Sequence, residues 1–264
     1  MQALGEGLGK KRDANNRPAF LDGLGVFEKL PAALVFGALL GLSSPGFDLW
    51  WVAWIGLVPL FVLLRSCRSF FDASLTGFAF GFAYHLVSHR WILELYPLTL
   101  IQIHDWLGLL AVWVMWFLEA AHQAILFAIF GFMAYALPTR AGLLPHYKRP
   151  FFPFVFALPP IWVFLQWTIG PSEPFFGIPV NQLAYSQAGV LPVMQVCSLG
   201  GCQLLEFLIV MVNAAAAETF FEFFPWLVTP LPDRIDHLSA KGGGALDLAI
   251  ILALVLAAAG WGEW

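Results

Sequence analysis

The stretch DWLGLLAVWVMWFLEAAHQAILFAIFGFMAYAL, from Asp105 to Leu137, is apolar over almost its whole length and carries two acidic residues, Asp105 and Glu119. A helix that crosses about 30 Å of hydrocarbon needs about 20 apolar residues. This stretch is longer, so it forms either a strongly tilted helix or a helix whose end projects into water. Whether it counts as one span or two decides on which side of the membrane each later loop lies.

The composition of the whole chain indicates a membrane protein. Of the 264 residues, 60% are hydrophobic and 11% are charged, and the mean hydropathy is +0.78. Soluble domains carry about 25% charged residues, so this chain has too few charges to cover a water-facing surface. The short alternating segments of a transmembrane β-barrel are not evident. We therefore predict an all-α, polytopic membrane protein.

Further apolar windows lie on both sides of the opening stretch. The seven predicted spans cover residues 30–44, 48–64, 70–93, 105–137, 151–168, 191–217 and 245–262. Residues 1–29 are predicted to form a basic cytoplasmic tail, and residues 30–264 a single seven-helix membrane domain.

The basic residues set the orientation, because loops rich in Lys and Arg stay on the cytoplasmic side. Of the 13 Lys and Arg residues, all except Arg90 lie in the N-terminal tail or in the second, fourth and sixth connections. Splitting 105–137 into two spans would move Arg140, Lys148 and Arg149 to the opposite side and break this pattern. We therefore count one span there, and predict a cytoplasmic N-terminus and a non-cytoplasmic C-terminus.

The three cysteines, Cys67, Cys197 and Cys202, give no even-numbered disulfide framework. Cys197 and Cys202 are five residues apart, a spacing that does not place them on one face of a helix. We expect them to contribute to helix packing.

Ionisable residues inside the predicted spans are candidates for function, because they are costly in hydrocarbon. His85 and His89 are four residues apart and share a helical face, while Glu119 and His122 form half of the motif of helical carboxylate-bridged metal sites. A shared metal would require the third and fourth spans to be displaced along their axes, since Glu119 and His122 are predicted to lie deeper. A metal centre at these four residues is one hypothesis. The others are hydrogen bonding within the bundle and a polar pathway or substrate cavity.

The predicted non-cytoplasmic face collects a second set of polar and aromatic residues. We expect the following residues to face lipid or substrate: Arg90, Trp91, His104, Asp105, Asn181, Tyr185, Ser186 and Gln187. Arg90 and Trp91 suit an interfacial anchor, and a guanidinium also suits bidentate contact with a phospholipid phosphate. The Tyr-Ser-Gln run also suits a structural loop that satisfies exposed backbone groups. No Ser-His-Asp order, phosphate loop or nucleophile elbow is evident, so we assign no catalytic residue and expect no cofactor.

Several stretches, taken in order, resemble the membrane domain of bacterial apolipoprotein N-acyltransferase. LLGLSSPGFDLWWVAWIGLVPLFVLL (39–64) resembles the paired first two spans of that family, where a Pro-Phe-Asp-x-Trp turn leads into a Trp-x-Gly-Leu-Val-Pro-Leu helix. GFAFGFAYHLVSHRWI (77–92) is similar to its Gly- and Phe-rich third span, and IHDW (103–106) to the Ile-His-Glu-Phe start of the fourth. GIPVNQLAYSQ (177–187) and PVMQVCSLGGCQLLEFLIVMVNAAAA (192–217) resemble its Gly-Phe-Pro-Trp…Tyr-Ser-Gln loop and the next span.

The resemblance implies an enzyme family that transfers an acyl chain from a phospholipid to the N-terminal cysteine of a diacylated lipoprotein, on the outer side of the bacterial cytoplasmic membrane. The chemistry of the family resides in a nitrilase-like domain with a Glu-Lys-Cys triad, which follows the seventh span. The sequence stops at Trp264, before that domain, and is expected to be inactive alone. The membrane half also departs from the family: Gln166-Trp167-Thr168-Ile169 replaces Glu-Trp-Leu-Arg, and Val180 replaces a tryptophan.

Three functional hypotheses stay open, and the sequence leaves undecided whether the chain is part of an enzyme. The chain is the membrane part of an acyltransferase, a noncatalytic subunit of a larger membrane protein complex, or a membrane metalloenzyme. The expected partners are membrane lipids, together with either a separate nitrilase-like chain or such a complex, and no nucleic acid.

Overall fold

The structure is a computed structural model that describes residues 19–98, 103, 105–137, 139–140, 152–168, 182–228 and 243–261. These residues form nine α-helices: α1 (Phe20–Gly23), α2 (Val26–Gly41), α3 (Val58–Arg65), α4 (Phe70–Ser88), α5 (Trp106–Ala136), α6 (Phe154–Thr168), α7 (Leu191–Met194), α8 (Cys197–Phe223) and α9 (Gly243–Trp261). Short 3-10 helices cover Trp50–Trp54, Arg90–Leu95 and Leu183–Gln187, and the two-residue strands β1 (Thr139–Arg140) and β2 (Phe152–Pro153) pair in parallel. The predicted all-α class is confirmed.

Each predicted span coincides with helical structure, but the described helices differ in whether they are long enough to cross a membrane. Within the described residues, α5 and α8 are long and apolar enough to cross a membrane by length and composition. Shorter apolar helical segments cover Trp50–Arg65, Phe154–Trp167 and Ala245–Ala257. Helix α5 runs without interruption from Trp106 to Ala136, as expected for a single element. The number of membrane crossings stays a prediction.

Three of the predicted spans are broken into separate helices in the structure. The second is broken into the 3-10 helix Trp50–Trp54 and α3, with Pro59 in the first turn of α3, where its missing N–H costs nothing. The third ends at Ser88, and its last predicted residues belong to a 3-10 helix. The sixth is divided into α7 and α8.

Helix α2 begins at Val26, so Lys29 lies inside the helical bundle and not in the N-terminal tail. The Lys29 side chain is fully buried. Its Nζ donates to Asp72 Oδ2 at 2.8 Å and to the Ser66 carbonyl oxygen at 2.9 Å. The Ser69 hydroxyl oxygen accepts from the Asp72 N–H and caps α4. The ion pair ties the start of α2 to the first turn of α4, and the bond to Ser66 ties it to the end of α3.

Helix α4 packs closely between α2 and α5 because small residues line both contacts. A Cβ atom at Gly37 of α2 would meet the Phe80 carbonyl oxygen of α4, and one at Gly77 of α4 would meet the Phe127 carbonyl oxygen of α5. Such close backbone approach is typical of helices that associate in membranes. The stack of α2, α4 and α5 forms one side of the bundle, and α6 and α8 contact each other on the other side.

Candidate functional site

The 3-10 helix Leu183–Gln187 is fastened to a turn more than a hundred residues earlier in the chain. Gln187 is fully buried. Its Oε1 accepts from Trp54 Nε1 at 3.0 Å, and its Nε2 donates to the Trp50 carbonyl oxygen at 3.0 Å and to Ser186 Oγ at 2.7 Å. The Ser186 hydroxyl donates to the Leu183 carbonyl oxygen at 2.6 Å. Ser186 and Gln187 therefore hold the loop in place and do not face lipid.

A buried carboxylate on α8 lies beneath this loop. Glu206 is 1% exposed, and its Oε2 accepts from Trp162 Nε1 of α6 at 3.1 Å. Its Oε1 accepts from the Ala184 N–H in the loop at 3.5 Å. Sequence reasoning missed Glu206, although an acid inside the apolar run LLEFLIV was a usable signal, because charged groups in hydrocarbon are costly.

A second polar residue on α8 hydrogen-bonds the backbone groups that are left without helical partners where the second predicted span is broken. Asn213 is fully buried. Its Oδ1 accepts from the Leu57 N–H, and its Nδ2 donates to the carbonyl oxygens of Ala53 and Ile209, each at 2.9 Å. Irregular backbone at membrane depth is tolerated only where protein groups satisfy it. Asn213 performs this task for the segment between Trp54 and α3.

These residues form one unit, which we call the loop-anchoring cluster. Its members join the Trp50–Trp54 turn, α6, α8 and the loop through buried hydrogen bonds: Trp54, Trp162, Ser186, Gln187, Glu206 and Asn213. Gln187 bonds the loop to the Trp50–Trp54 turn, Asn213 bonds that turn to α8, and Glu206 bonds α8 to the loop. Because these bonds connect all three elements, the cluster is a rigid support for the loop.

Tyr185 is the member of the Tyr-Ser-Gln run that stays half-exposed. Partial burial raises the pKa of the Tyr185 hydroxyl, and the neighbouring Cys202 and Glu206 raise it further. The hydroxyl therefore stays protonated at physiological pH. It is the hydrogen-bonding group of this run that a ligand can reach.

The other predicted outer residues are only partly described. Arg90 is exposed, and its guanidinium lies 4.7 Å from the centre of the Phe47 ring, a cation–π contact. Trp91 and Asp105 are also exposed. Arg90 thus lies beside the Pro-Gly-Phe-Asp turn that precedes the Trp50–Trp54 helix. His104 and Asn181 lie outside the described residues.

His85 of α4, His89 just after the end of α4 and Glu119 of α5 lie closer together than their predicted depths suggested. The His85 and His89 rings stack with centroids 5.1 Å apart, and Glu119 is near enough to His89 to interact with it electrostatically. Glu119 Oε1 accepts from Gln123 Nε2 at 2.9 Å, and its Oε2 lies 3.9 Å from His122 Nδ1. Among the described residues, however, no group of three or more His, Cys, Asp or Glu side chains is arranged to hold a metal ion. The geometry gives the metal hypothesis no support.

Comparison with known proteins identifies the family. The model of the apolipoprotein N-acyltransferase N-terminal domain matches residues 36–215. The chain belongs to the apolipoprotein N-acyltransferase family. An apolipoprotein N-acyltransferase from Gloeobacter violaceus is 35% identical over 192 residues, which cover 72% of this chain and 34% of the relative. One from Thermotoga maritima is 28% identical over 196 residues, which cover 72% of this chain and 35% of the relative.

The chain spans about a third of the length of these apolipoprotein N-acyltransferases. The region that matches the N-terminal domain of the family contains every member of the loop-anchoring cluster, from Trp54 to Asn213. The resemblance found in the sequence is therefore confirmed. Three of the stretches that carry it, 39–64, 177–187 and 192–217, hydrogen-bond to one another.

Proposed function

We propose that this chain is the membrane part of an apolipoprotein N-acyltransferase, and that its outer face presents phospholipid and lipoprotein to a nitrilase-like catalytic domain. The loop-anchoring cluster is the observation that carries the proposal. It joins the family-like Trp50–Trp54 turn to the family-like Tyr-Ser-Gln loop through the fully buried Gln187. A binding surface works best on elements whose side chains are locked by packing and hydrogen bonds.

The surface around this support suits a phospholipid. Trp50, Trp51 and Trp91 are all more than 40% exposed, and tryptophan is enriched at the level of lipid headgroups. The exposed guanidinium of Arg90 supplies a cation whose geometry matches a phosphate. Aromatic faces for the acyl chains and a cation for the headgroup make membrane lipid the proposed partner of this face.

The proposed topology puts this face on the non-cytoplasmic side of a bacterial cytoplasmic membrane. The segregation of Lys and Arg supports seven spans with a cytoplasmic N-terminus. Arg90, the one basic residue outside that pattern, then lies at the outer end of α4, where a lipid phosphate is within reach.

The described residues receive no catalytic role in this proposal. Acyl transfer through a covalent intermediate requires an activated nucleophile and its base. A nitrilase-like domain, whether joined to this chain or separate from it, is proposed to supply both. This chain then contributes the binding and orientation of the two substrates.

Affinity purification from native membranes followed by an acylation assay tests the proposal. The purified assembly is mixed with phosphatidylethanolamine vesicles and a diacylated lipopeptide, and mass spectrometry detects a third acyl chain on the N-terminal cysteine. We expect a nitrilase-like polypeptide in the preparation and N-acylated product. An assembly with neither would support a noncatalytic subunit and contradict the proposal, as would N-acylation by this chain with no nitrilase-like domain present.

Substitution of Gln187 tests whether the loop-anchoring cluster serves the reaction. Gln187→Ala removes the hydrogen bonds to the Trp54 indole N–H and to the Trp50 carbonyl, so the loop is held less firmly. We expect the rate of N-acylation per assembly to fall about tenfold, which corresponds to about 1.4 kcal/mol of lost positioning. Gln195→Ala, at an exposed position after α7, is the matched control and should leave the rate unchanged. Equal rates for the two variants would show that the cluster is dispensable for acyl transfer.

A further inference from the structure

A cavity of about 270 Å³ lies at the end of the bundle where α3 and α5 finish and α6 begins. Its most deeply buried walls are apolar and come from Phe61 and Leu64 of α3 and Phe154 and Leu158 of α6. The Phe61 and Phe154 rings meet edge to face, with centroids 6.1 Å apart. Pockets that enclose a whole small-molecule ligand measure about 300–1,000 Å³, so this cavity has room for part of a larger ligand.

The remaining wall of the cavity is half-buried and carries polar groups. Arg65 is the last residue of α3, Tyr135 lies in the last turn of α5, and Thr139 follows in β1. Because Phe61 precedes Arg65 by about one helical turn, or about 6 Å, the polar groups lie at the end of the bundle and the apolar wall lies deeper. The cavity therefore matches an amphiphile whose polar head faces outward.

The charge around the cavity is positive. The two connections that border it, residues 65–69 and 137–152, contain two and three basic residues, and neither contains an acidic residue. Asp22 is near enough to Arg65 to interact with it electrostatically, but Asp22 does not line the cavity. A guanidinium has five N–H donors in a planar fork, so Arg65 can contact a carboxylate on one edge and a phosphate on another.

We propose that this cavity binds an anionic phospholipid of the cytoplasmic leaflet, with the phosphate at Arg65 and one acyl chain against Phe61 and Leu158. Basic pockets between helices on the cytoplasmic side bind anionic headgroups, and the Tyr135 and Thr139 hydroxyls can donate to further phosphate oxygens. The leaflet follows from the proposed topology, which places this end of the bundle on the cytoplasmic side. The cavity is therefore separate from the outer face that is proposed to present the substrates.

A lipid in this cavity contacts both sides of the bundle. The cavity is lined by α5, which belongs to the stack of α2, α4 and α5, and by α6, which contacts α8. A ligand that binds the folded state alone stabilises that state. Anionic lipid is therefore expected to raise the temperature at which the protein unfolds.

Lipid binding to the purified full-length chain in detergent micelles tests the proposal. Phosphatidylglycerol is the anionic probe, and phosphatidylcholine is the zwitterionic reference. Native mass spectrometry counts the lipids that stay bound, and thermal unfolding measures their effect on stability. We expect one phosphatidylglycerol to be retained more firmly than phosphatidylcholine and to raise the unfolding temperature further. Equal retention of the two lipids would overturn the proposal.

Two arginine variants locate the headgroup. Arg65→Gln removes the cation that lines the cavity, whereas Arg68→Gln removes an exposed cation three residues away that does not line it. We expect Arg65→Gln to raise the Kd for phosphatidylglycerol about tenfold, because hydrogen bonds to a charged group are lost, and Arg68→Gln to have little effect. Equal weakening by both variants would mean that the lipid responds to the general charge of this surface, which contradicts a site in the cavity.

A third variant keeps every charge and tests the apolar wall, even if Arg65→Gln fails to fold. Ala134 lines the cavity and is half-buried, so the ring of Ala134→Phe occupies part of the space for the acyl chain. We expect this variant to lose phosphatidylglycerol. Unchanged binding would contradict the proposal.

Inorganic phosphate distinguishes a lipid site from a simple anion site. We expect phosphate to leave phosphatidylglycerol bound, because it makes no contact with the apolar wall. Displacement by phosphate would overturn the assignment to lipid. The lipopeptide assay is independent of these measurements: loss of lipid binding with N-acylation intact contradicts this inference alone, and intact lipid binding without N-acylation contradicts the proposed function alone.

Discussion

At the scale of single residues, Asn213 makes a broken span compatible with a membrane. The chain leaves helical geometry between Trp54 and Val58, and the Leu57 N–H and the Ala53 carbonyl are both bound by the Asn213 amide. In hydrocarbon no water replaces these bonds. One side chain on α8 therefore determines whether this segment can keep its bend.

Replacing Asn213 with alanine should destabilise the protein by about 2–3 kcal/mol, because it leaves a buried N–H and a buried carbonyl unpaired. Denaturant unfolding in detergent micelles measures the change. Thr219→Ala is the matched control on the same helix, because the Thr219 hydroxyl donates to the Ala215 carbonyl of its own helix. Equal stability of the two variants would show that Asn213 does not support the broken span.

The candidate residues in the sequence were found more easily than their partners. Tyr185, Ser186 and Gln187 stood out as polar residues between apolar spans. Glu206 and Asn213 were not singled out, since their roles depend on which parts of distant helices lie side by side. The partner of Asn213 at Leu57 is 156 residues away, and no local pattern encodes that register.

At the scale of helices, glycines set the distance between α2, α4 and α5. The backbone of α5 at Phe127 approaches α4 so closely that a Cβ atom at Gly77 would meet a carbonyl oxygen. Without a hydrophobic driving force between helices in lipid, close packing of this kind supplies much of the association energy. A substitution that widens this contact should therefore weaken the association of α4 with α5.

Gly77→Ala should separate α4 from α5 and lower the stability by about 1–2 kcal/mol. The cost of overpacking is about 1–3 kcal/mol, and the better helix propensity of alanine offsets up to about 1 kcal/mol of it. Thermal unfolding in micelles measures the difference. Gly189→Ala is the control, because nothing lies within 4 Å of a Cβ atom at that position. If Gly77→Ala unfolds at the same temperature as Gly189→Ala, the contact does not hold the pair together.

Hydropathy predicted the existence of the helices better than their shape. All seven windows coincide with helical structure because length and apolarity are local properties of the sequence. The break before Val58 and the break in α8 at Gly201 were missed because hydropathy does not report backbone direction.

At the scale of the whole molecule, the relative heights of helices could not be predicted by counting residues from the ends of spans. That count placed Glu119 deeper in the membrane than His85 and His89. In the structure Trp116, well inside α5, donates from Nε1 to the Leu86 carbonyl oxygen in the last turn of α4 at 3.0 Å, so the two helices are not level at their ends. The positions of helices along the membrane normal are set by side-chain packing, which requires the assembled bundle.

The proposed topology predicts that Gly23 and Gly189 lie on opposite sides of the membrane. Both glycines are exposed, and neither has an atom within 4 Å of an added Cβ, so cysteine fits at each position. In a background without native cysteines, a membrane-impermeant maleimide should label Gly189→Cys in cells whose inner membrane is intact. Gly23→Cys should react only after that membrane is opened. Labelling of both from outside, or of neither, would mean an even number of crossings between them. The seven-span count would then be wrong. Reversed labelling would keep the odd number and invert the orientation, placing the loop-anchoring cluster on the cytoplasmic side.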